Sequence, residues 1–281
     1  MRSSNSVEKN ILTLKGFIET PGDIPVLLTA PHAMGPRADL LTGEIAYRVA
    51  IETGAYALIA TVSREDKDYN RAKWRDSPFR KRIQELIADL LETHSEVLLL
   101  DIHGMEKPIT SFDEITVLFG TAGGVTIDVD YMDMLREELE VKEIHSEYAF
   151  MEAPQYMGGD IVSHHGRPSR GVHAAQLEIA AKNRQLGERD LIDAVVNFIR
   201  RWDLTKLYKH EFKKTQMRRL LKNAGAKRIS QDAPKVLREI LESITIKISV
   251  RAASIASISN RKTIEGKDIR KVASRLLKRR Y

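Results

Sequence analysis

The chain has no cysteine. That excludes disulfides, thiol nucleophiles and thiolate metal sites, so any metal must be held by His, Asp or Glu. It has no apolar run approaching the roughly 18 residues that span a bilayer, and no membrane partner is expected. The opening residues, Met1 to Lys9, lack the apolar core of a secretion signal, which makes the cytoplasm the expected location.

What is present is an uneven distribution of charge. The formal net charge of +6 over 281 residues conceals two halves of opposite sign. Residues 209–281 hold 21 Lys+Arg against 6 Asp+Glu, a net of +15; the other 208 residues hold 24 against 33, a net of −9. Such asymmetry indicates two domains, the basic one facing a polyanion. The boundaries are placed at residues 1–205 for the first domain, 206–215 for a short charged connector and 216–281 for the second.

The first domain alternates strand and helix patterns. The organising stretch is Val97 to Gly104, where a short apolar run ends in Asp101, His103 and Gly104. A run too short for a helix and bounded by polar residues reads as a buried parallel strand. Glycine there lets something approach the backbone closely. Further strands are expected at Ile24–Thr29, Ala55–Val62 and Ile115–Phe119. Helices are expected at Thr42–Thr53 with Thr42 as N-cap, at Ser77–His94, at Asp130–Leu139 and at Arg189–Trp202. Val172–Ile179 fits a strand or a helix start, and 140–172 reads as irregular. The pattern implies an α/β fold, a mostly parallel sheet with helices on both faces.

Chemistry collects at the strand ends: His32, Arg64, Asn70 with Arg71, His103 and Glu178. Two imidazoles and a carboxylate with an open position make a catalytic zinc site. A further carboxylate that is not a ligand can take a proton from water, an arginine can stabilise an oxyanion, and an Asn–Arg pair can fork a substrate carboxylate. His164, His165 and His173 are additional candidates, which loop polarity or core hydrogen bonding would equally explain.

The order of Pro31-His32-Ala33, Ser63-Arg64, Asp68-x-Asn70-Arg71, Asp101-x-His103-Gly104, Gly158-Gly159 and Gly171 to Glu178 resembles the N-formylglutamate amidohydrolase family, over roughly residues 20–200. That family shares its sheet and site plan with zinc carboxypeptidases. The resemblance implies one Zn2+ per chain held by His32 and His103, with Glu178 as general base. Arg64 would polarise the scissile carbonyl, and Asn70 and Arg71 would hold a carboxylate of a small-molecule substrate. Peptidase relatives take the third ligand from a Glu three residues after the first His, where this chain has Gly35. Glu44, at a helix start, is the first choice for that ligand and Asp39 the second.

In the second domain a short helix (Gln216–Lys222), a long one (Ser230 to about Ser259) and a last one (Glu265 or Gly266 to Lys278) follow one another. The long helix carries an apolar stripe through Val236, Ile240, Ile244 and Ile248 that some 65 residues cannot cover, so a homodimer is expected. The stretches Arg219 to Ser230 and Arg261 to Asp268, at this spacing, resemble the archaeal histone fold. The resemblance implies a handshake dimer on double-stranded DNA, bound without sequence preference, and hence association with the nucleoid. Arg219, Arg228, Lys262 and Thr263 would face phosphates, and Arg261 would pair with Asp268 to brace the second loop. Two functions follow: a DNA-tethered hydrolase, or a structural DNA-binding protein with an inert hydrolase-fold module.

Overall fold

The structure, a computed structural model, describes residues 12–105, 117–149, 157–185, 188–207, 212–259 and 261–278. The chain divides into two compact units, Met1–Phe198 and Ile199–Tyr281.

The first unit is built on an eight-stranded sheet. The strands are β1 (Leu12–Leu14), β2 (Phe17–Thr20), β3 (Val26–Ala30), β4 (Tyr56–Ala60), β5 (Val97–Met105), β6 (Val117–Gly120), β7 (Ser146–Tyr148) and β8 (Val172–Ala180). Their order is β1-β2-β4-β3-β5-β8-β6-β7. The central pairings β4–β3, β3–β5 and β5–β8 are parallel, while β1–β2, β2–β4 and β6–β8 are antiparallel. β3 is buried at every position, as a strand covered on both faces must be, and its continuous apolar run follows from that. β8 resolves the ambiguous 172–179 segment as a strand.

Helices α1 (Thr42–Thr53), α2 (Pro78–Thr93), α3 (Val129–Val141) and α4 (Asp160–His165) lie in the connections between strands, and α5 (Ala181–Gln185) and α6 (Glu188–Leu207) follow β8. α1 carries the chain from β3 outward to β4, and α2 brings it back across β3 to β5. Right-handed crossovers in opposite directions put the two helices on opposite faces and open a crevice at the carboxyl ends of β3 and β5. That crevice is where His32 and His103 emerge.

Several expectations change in detail. Thr42 is the first helical residue rather than the cap; Leu41 holds the cap position at φ 69°. The Thr42 hydroxyl instead donates to the Asp39 carbonyl (2.7 Å), which ties α1 to the loop before it. Ser77 does cap α2, accepting the Arg80 N–H (3.4 Å), with Pro78 opening the helix. Residues 140–172, read as irregular, contain β7 and α4, both too short for periodicity to register. The expected strand at 115–119 is seen from Val117, its first two residues lying outside the described set.

The core also positions a functional loop. The Tyr69 ring stacks on Phe79 of α2 (4.7 Å, 8° between planes), and Phe17 meets Phe79 edge-on. Arg80, 2% exposed, donates to the Tyr69 carbonyl (3.0 Å) and to Asp160 Oδ2 (2.9 Å). Removing one partner of such a buried pair costs about 3–5 kcal/mol, so the loop before Asn70 is firmly held between α2 and α4.

The second unit contains α7 (Lys214–Asn223), α8 (Ala233–Ile258) and α9 (Gly266–Lys278). α8 packs against α7 and against α9. Ser230 Oγ accepts the Ala233 N–H (3.3 Å) at the start of α8. Among the described residues, no helix is long and apolar enough to cross a membrane.

Candidate metal centre and nucleic-acid interface

His32 lies just beyond β3 and His103 near the end of β5. The loop from 32 to 39 closes on itself through Asp39 N–H, which donates to the His32 carbonyl (2.8 Å). Asp39 is thereby placed between the two imidazoles, whose rings meet edge-to-face at 4.7 Å. Ligand atoms of His32, Asp39 and His103 all lie within 4.8 Å of one another, and all three residues are buried. Glu44, the first choice for the carboxylate, is exposed in the first turn of α1 and is not brought to this cluster. The helical turn leaves Glu44 facing solvent, whereas the loop hydrogen bond turns Asp39 inward.

The two rings are held alike. His32 Nε2 bonds Asp68 Oδ1 (2.8 Å) and His103 Nε2 bonds Asp101 Oδ2 (2.9 Å). Burial pushes the Asp68 carboxyl up, but the bonds from His32 and Arg71 outweigh it and leave it at about 2. An ionised Asp68 can only accept, so His32 Nε2 carries the proton. Each ring then turns Nδ1 toward Asp39 Oδ2, at 3.4 Å and 3.5 Å. Buried Nδ1 of His32 has no hydrogen-bond partner among the described residues. A carboxylate behind each imidazole, with Nδ1 turned to the front, is the arrangement that orients histidines toward a metal. Burial raises the Asp39 carboxyl, while the adjoining His103 and His32 rings and the Arg64 charge lower it, the net effect holding it well below the usual range.

Glu178 stands opposite His103 in the β5–β8 register, on the same face of the sheet, and Gln176 stands opposite Asp101. Gln176 Nε2 donates to Glu178 Oε1. Burial raises the Glu178 carboxyl above its ordinary value against the opposing charge of His103. Arg64 donates to Asp39 Oδ1 through Nη2 and to the Arg37 carbonyl through Nε (2.7 Å). Asn70 Oδ1 accepts the Ile161 N–H (3.0 Å), and its Nδ2 lies 3.3 Å from His103 Nε2. Arg71 is 74% exposed and reaches Asp68 Oδ2 (3.1 Å). His32, Arg64, Asn70, Arg71, His103 and Glu178 thus line one cavity of about 340 Å³, together with Arg37, Asp39 and Gln176.

The other candidate histidines lie elsewhere. His173 is buried near the start of β8, with Nε2 3.2 Å from Glu96 and Nδ1 accepting the Asp128 N–H (3.3 Å). His164 and His165 meet edge-to-face on α4, and burial with the Arg80 charge pushes His165 down to about 3. Sequence reasoning missed the placement of Asp68 and Asp101 behind the rings. The Asp-x-His spacing in β5 was a signal for one of them, since residues two apart on a strand share a face.

In the histone-like unit, Arg261 forks Asp268 through two bonds of 2.9 Å, as expected, and Asp268 also accepts the Glu265 N–H (2.9 Å). The braced loop leaves Lys262 and Thr263 exposed. Arg219 and Arg228 are exposed as well, and none of the three cations forms an ion pair among the described residues.

The sheet, its order and its crevice define a domain with the N-formylglutamate amidohydrolase fold, followed by a helical histone fold. The family model of N-formylglutamate amidohydrolase matches residues 74–183, and that of histone-like transcription factors (CBF/NF-Y) and archaeal histones matches residues 210–272. The archaeal histone HAN1 of Thermococcus zilligii is 42% identical over 52 residues, 18% of this chain and 78% of the relative. Probable archaeal histone 3 of Methanocaldococcus jannaschii is 38% identical over 52 residues with the same coverage. The crystal structure of N-formylglutamate amidohydrolase from Ralstonia eutropha superposes with a TM-score of 0.58 at 14% identity, over 69% of this chain and 99% of that one. A gene product from Agrobacterium tumefaciens gives 0.54 at 16% identity, over 69% and 95%. Through its C-terminal unit the chain belongs to the archaeal histone family, and it carries an N-formylglutamate amidohydrolase domain ahead of that unit.

Proposed function

We propose that the first domain is a zinc-dependent amidohydrolase acting on a small, carboxylate-bearing N-acyl substrate, and that a dimer of the histone fold carries it on DNA within the nucleoid. The observation behind the first half is the convergence of His32, Asp39 and His103 in a cavity that also holds Glu178. The donor set suits zinc: two imidazoles, one carboxylate and no thiolate. Asp39 is the third ligand in this reading, in place of Glu44.

Bound zinc would act as a Lewis acid and lower the pKa of water in the site. Glu178 takes the proton of the attacking water at its carboxylate and hands it to the departing amine. Burial of Glu178 moves this base toward neutral pH, where proton transfer in both directions is easiest. Arg64, once a substrate competes for it, balances negative charge on the former carbonyl oxygen. Arg71, open on one side at the rim, offers its fork to the substrate carboxylate, and Asn70 fixes the loop that presents it.

Elemental analysis of the purified chain tests this reading. About one zinc per chain is expected, lost in His103→Ala and Asp39→Ala and kept in Glu44→Ala. A wild-type chain that takes up no zinc when supplied with it overturns the enzyme reading and leaves a structural DNA-binding protein with an inert module.

For DNA, the net charge of +15 over residues 209–281 and the exposed Arg219, Arg228 and Lys262 support phosphate contacts without sequence readout. The Arg228→Ala/Lys262→Ala double variant removes two cations from each copy and is expected to lower the slope of log affinity against log salt by about 4 per dimer. A slope equal to that of the wild type sinks the assignment of these two residues.

A further inference from the structure

Asp39, His103 and Glu178 come from three separate segments, so their convergence needs something that fixes three main chains to one another. Arg184 of α5 touches all three. It is 4% exposed. Its Nη1 donates to the Leu40 carbonyl (2.5 Å), its Nη2 to the Met105 carbonyl (3.2 Å) and its Nε to the Ile179 carbonyl (3.0 Å). Leu40 follows Asp39 directly, Ile179 follows Glu178 directly, and Met105 is two residues beyond His103. One side chain therefore holds the backbone beside each of the three groups.

Gly104 shows how close that approach is. A Cβ added there would lie 2.5 Å from Arg184 Cζ and 2.7 Å from Nη1. The Gly104 N–H in turn donates to Asp39 Oδ2 (3.1 Å). The glycine is thus required by a guanidinium lying against the peptide that grips the Asp39 carboxylate. Arginine suits the task because its planar fork donates in several fixed directions at once, whereas lysine offers one compact ammonium.

We infer that Arg184 is the positioning residue of the metal centre: it fixes Asp39, His103 and Glu178 relative to one another through the main chain and so sets the affinity for zinc. The inference rests on the zinc reading above. Groups one layer behind metal ligands typically govern affinity by about 10- to 100-fold.

The test is zinc affinity of the full chain, measured by competition with a chromophoric chelator, for wild type, Arg184→Lys and Gly104→Ala. Arg184→Lys keeps the charge and loses the fork; Gly104→Ala keeps the arginine and displaces it. Both are expected to match the wild type in circular dichroism and to bind zinc about 10- to 100-fold more weakly. An arginine that only filled the core would lower the melting temperature and leave zinc affinity per folded chain unchanged, and that result overturns the inference. If Arg184→Lys does not fold, Gly104→Ala decides: wild-type affinity there overturns it equally. A wild-type chain without zinc brings down the zinc reading and this inference together, whereas zinc bound equally by all three proteins brings down the inference alone.

Discussion

Replacing Glu178 by glutamine is expected to lower kcat for hydrolysis of N-acyl amino acids by about 100- to 10,000-fold while zinc stays bound. Glutamine keeps the shape of the side chain and removes its basicity. The position makes the role specific. Glu178 faces His103 across the β5–β8 pairing, so its carboxylate reaches the cavity from the neighbouring strand rather than from the ligand cluster. Gln176 donates to it, which limits the rotamers it can adopt. Burial lifts its carboxyl above the ordinary value, so it takes a proton more readily than an exposed glutamate. Steady-state kinetics together with metal analysis separates the alternatives. Full activity in Glu178→Gln would remove the base role, and loss of zinc would make Glu178 a ligand.

The second large effect is expected in the histone fold. Ile244→Asp should leave the chain monomeric in sedimentation equilibrium and abolish DNA binding at physiological salt. Val236, Ile240 and Ile244 recur every four residues along α8 and are 48%, 51% and 39% exposed in the single chain. On the three histone helices the buried apolar side chains described are Met217, Pro234, Val250, Ala252, Ala256 and Val272. That is a small core for a 26-residue helix, and the stripe needs a partner. In a two-fold dimer each substitution occurs twice, on a self-complementary surface. An unpaired carboxylate buried there costs several kcal/mol per copy, and each 1.4 kcal/mol is about tenfold in dissociation constant. DNA binding falls with it because phosphate contacts from two copies act together. A dimeric Ile244→Asp chain would show that another surface joins the copies.

Much of the fold was legible before any coordinates. The β3 and β5 runs are apolar at successive positions because a strand covered on both faces has no polar side, and that pattern survives in one dimension. Helix α2 was readable from Ser77-Pro78 and its apolar face, and α8 from its length and stripe. The misses have equally physical causes. β1, β2, β7 and α4 span three to six residues, too few for any period to stand out. Thr42 looked like a cap because its type favours that place, but the left-handed cap position falls on Leu41, and the Thr42 hydroxyl donates to the Asp39 carbonyl.

The site divides along the same line. Absence of cysteine confined metal ligands to His, Asp and Glu, and the strand ends named His32, His103 and Glu178. Charge asymmetry separated a basic histone-like unit from an acidic one, and local spacing set Arg261 against Asp268. These are properties of composition and short-range periodicity, which a sequence carries in full. What the tertiary structure alone decided is the company each residue keeps. It brought Asp39 rather than Glu44 to the two histidines, set Asp68 behind His32 and Asp101 behind His103, and brought Arg184 against Gly104. Such pairings join residues from distant segments, and they depend on strand order, on register and on one loop closing back upon itself. Periodicity tells a side chain which face it takes, while only the packed sheet determines what it meets there.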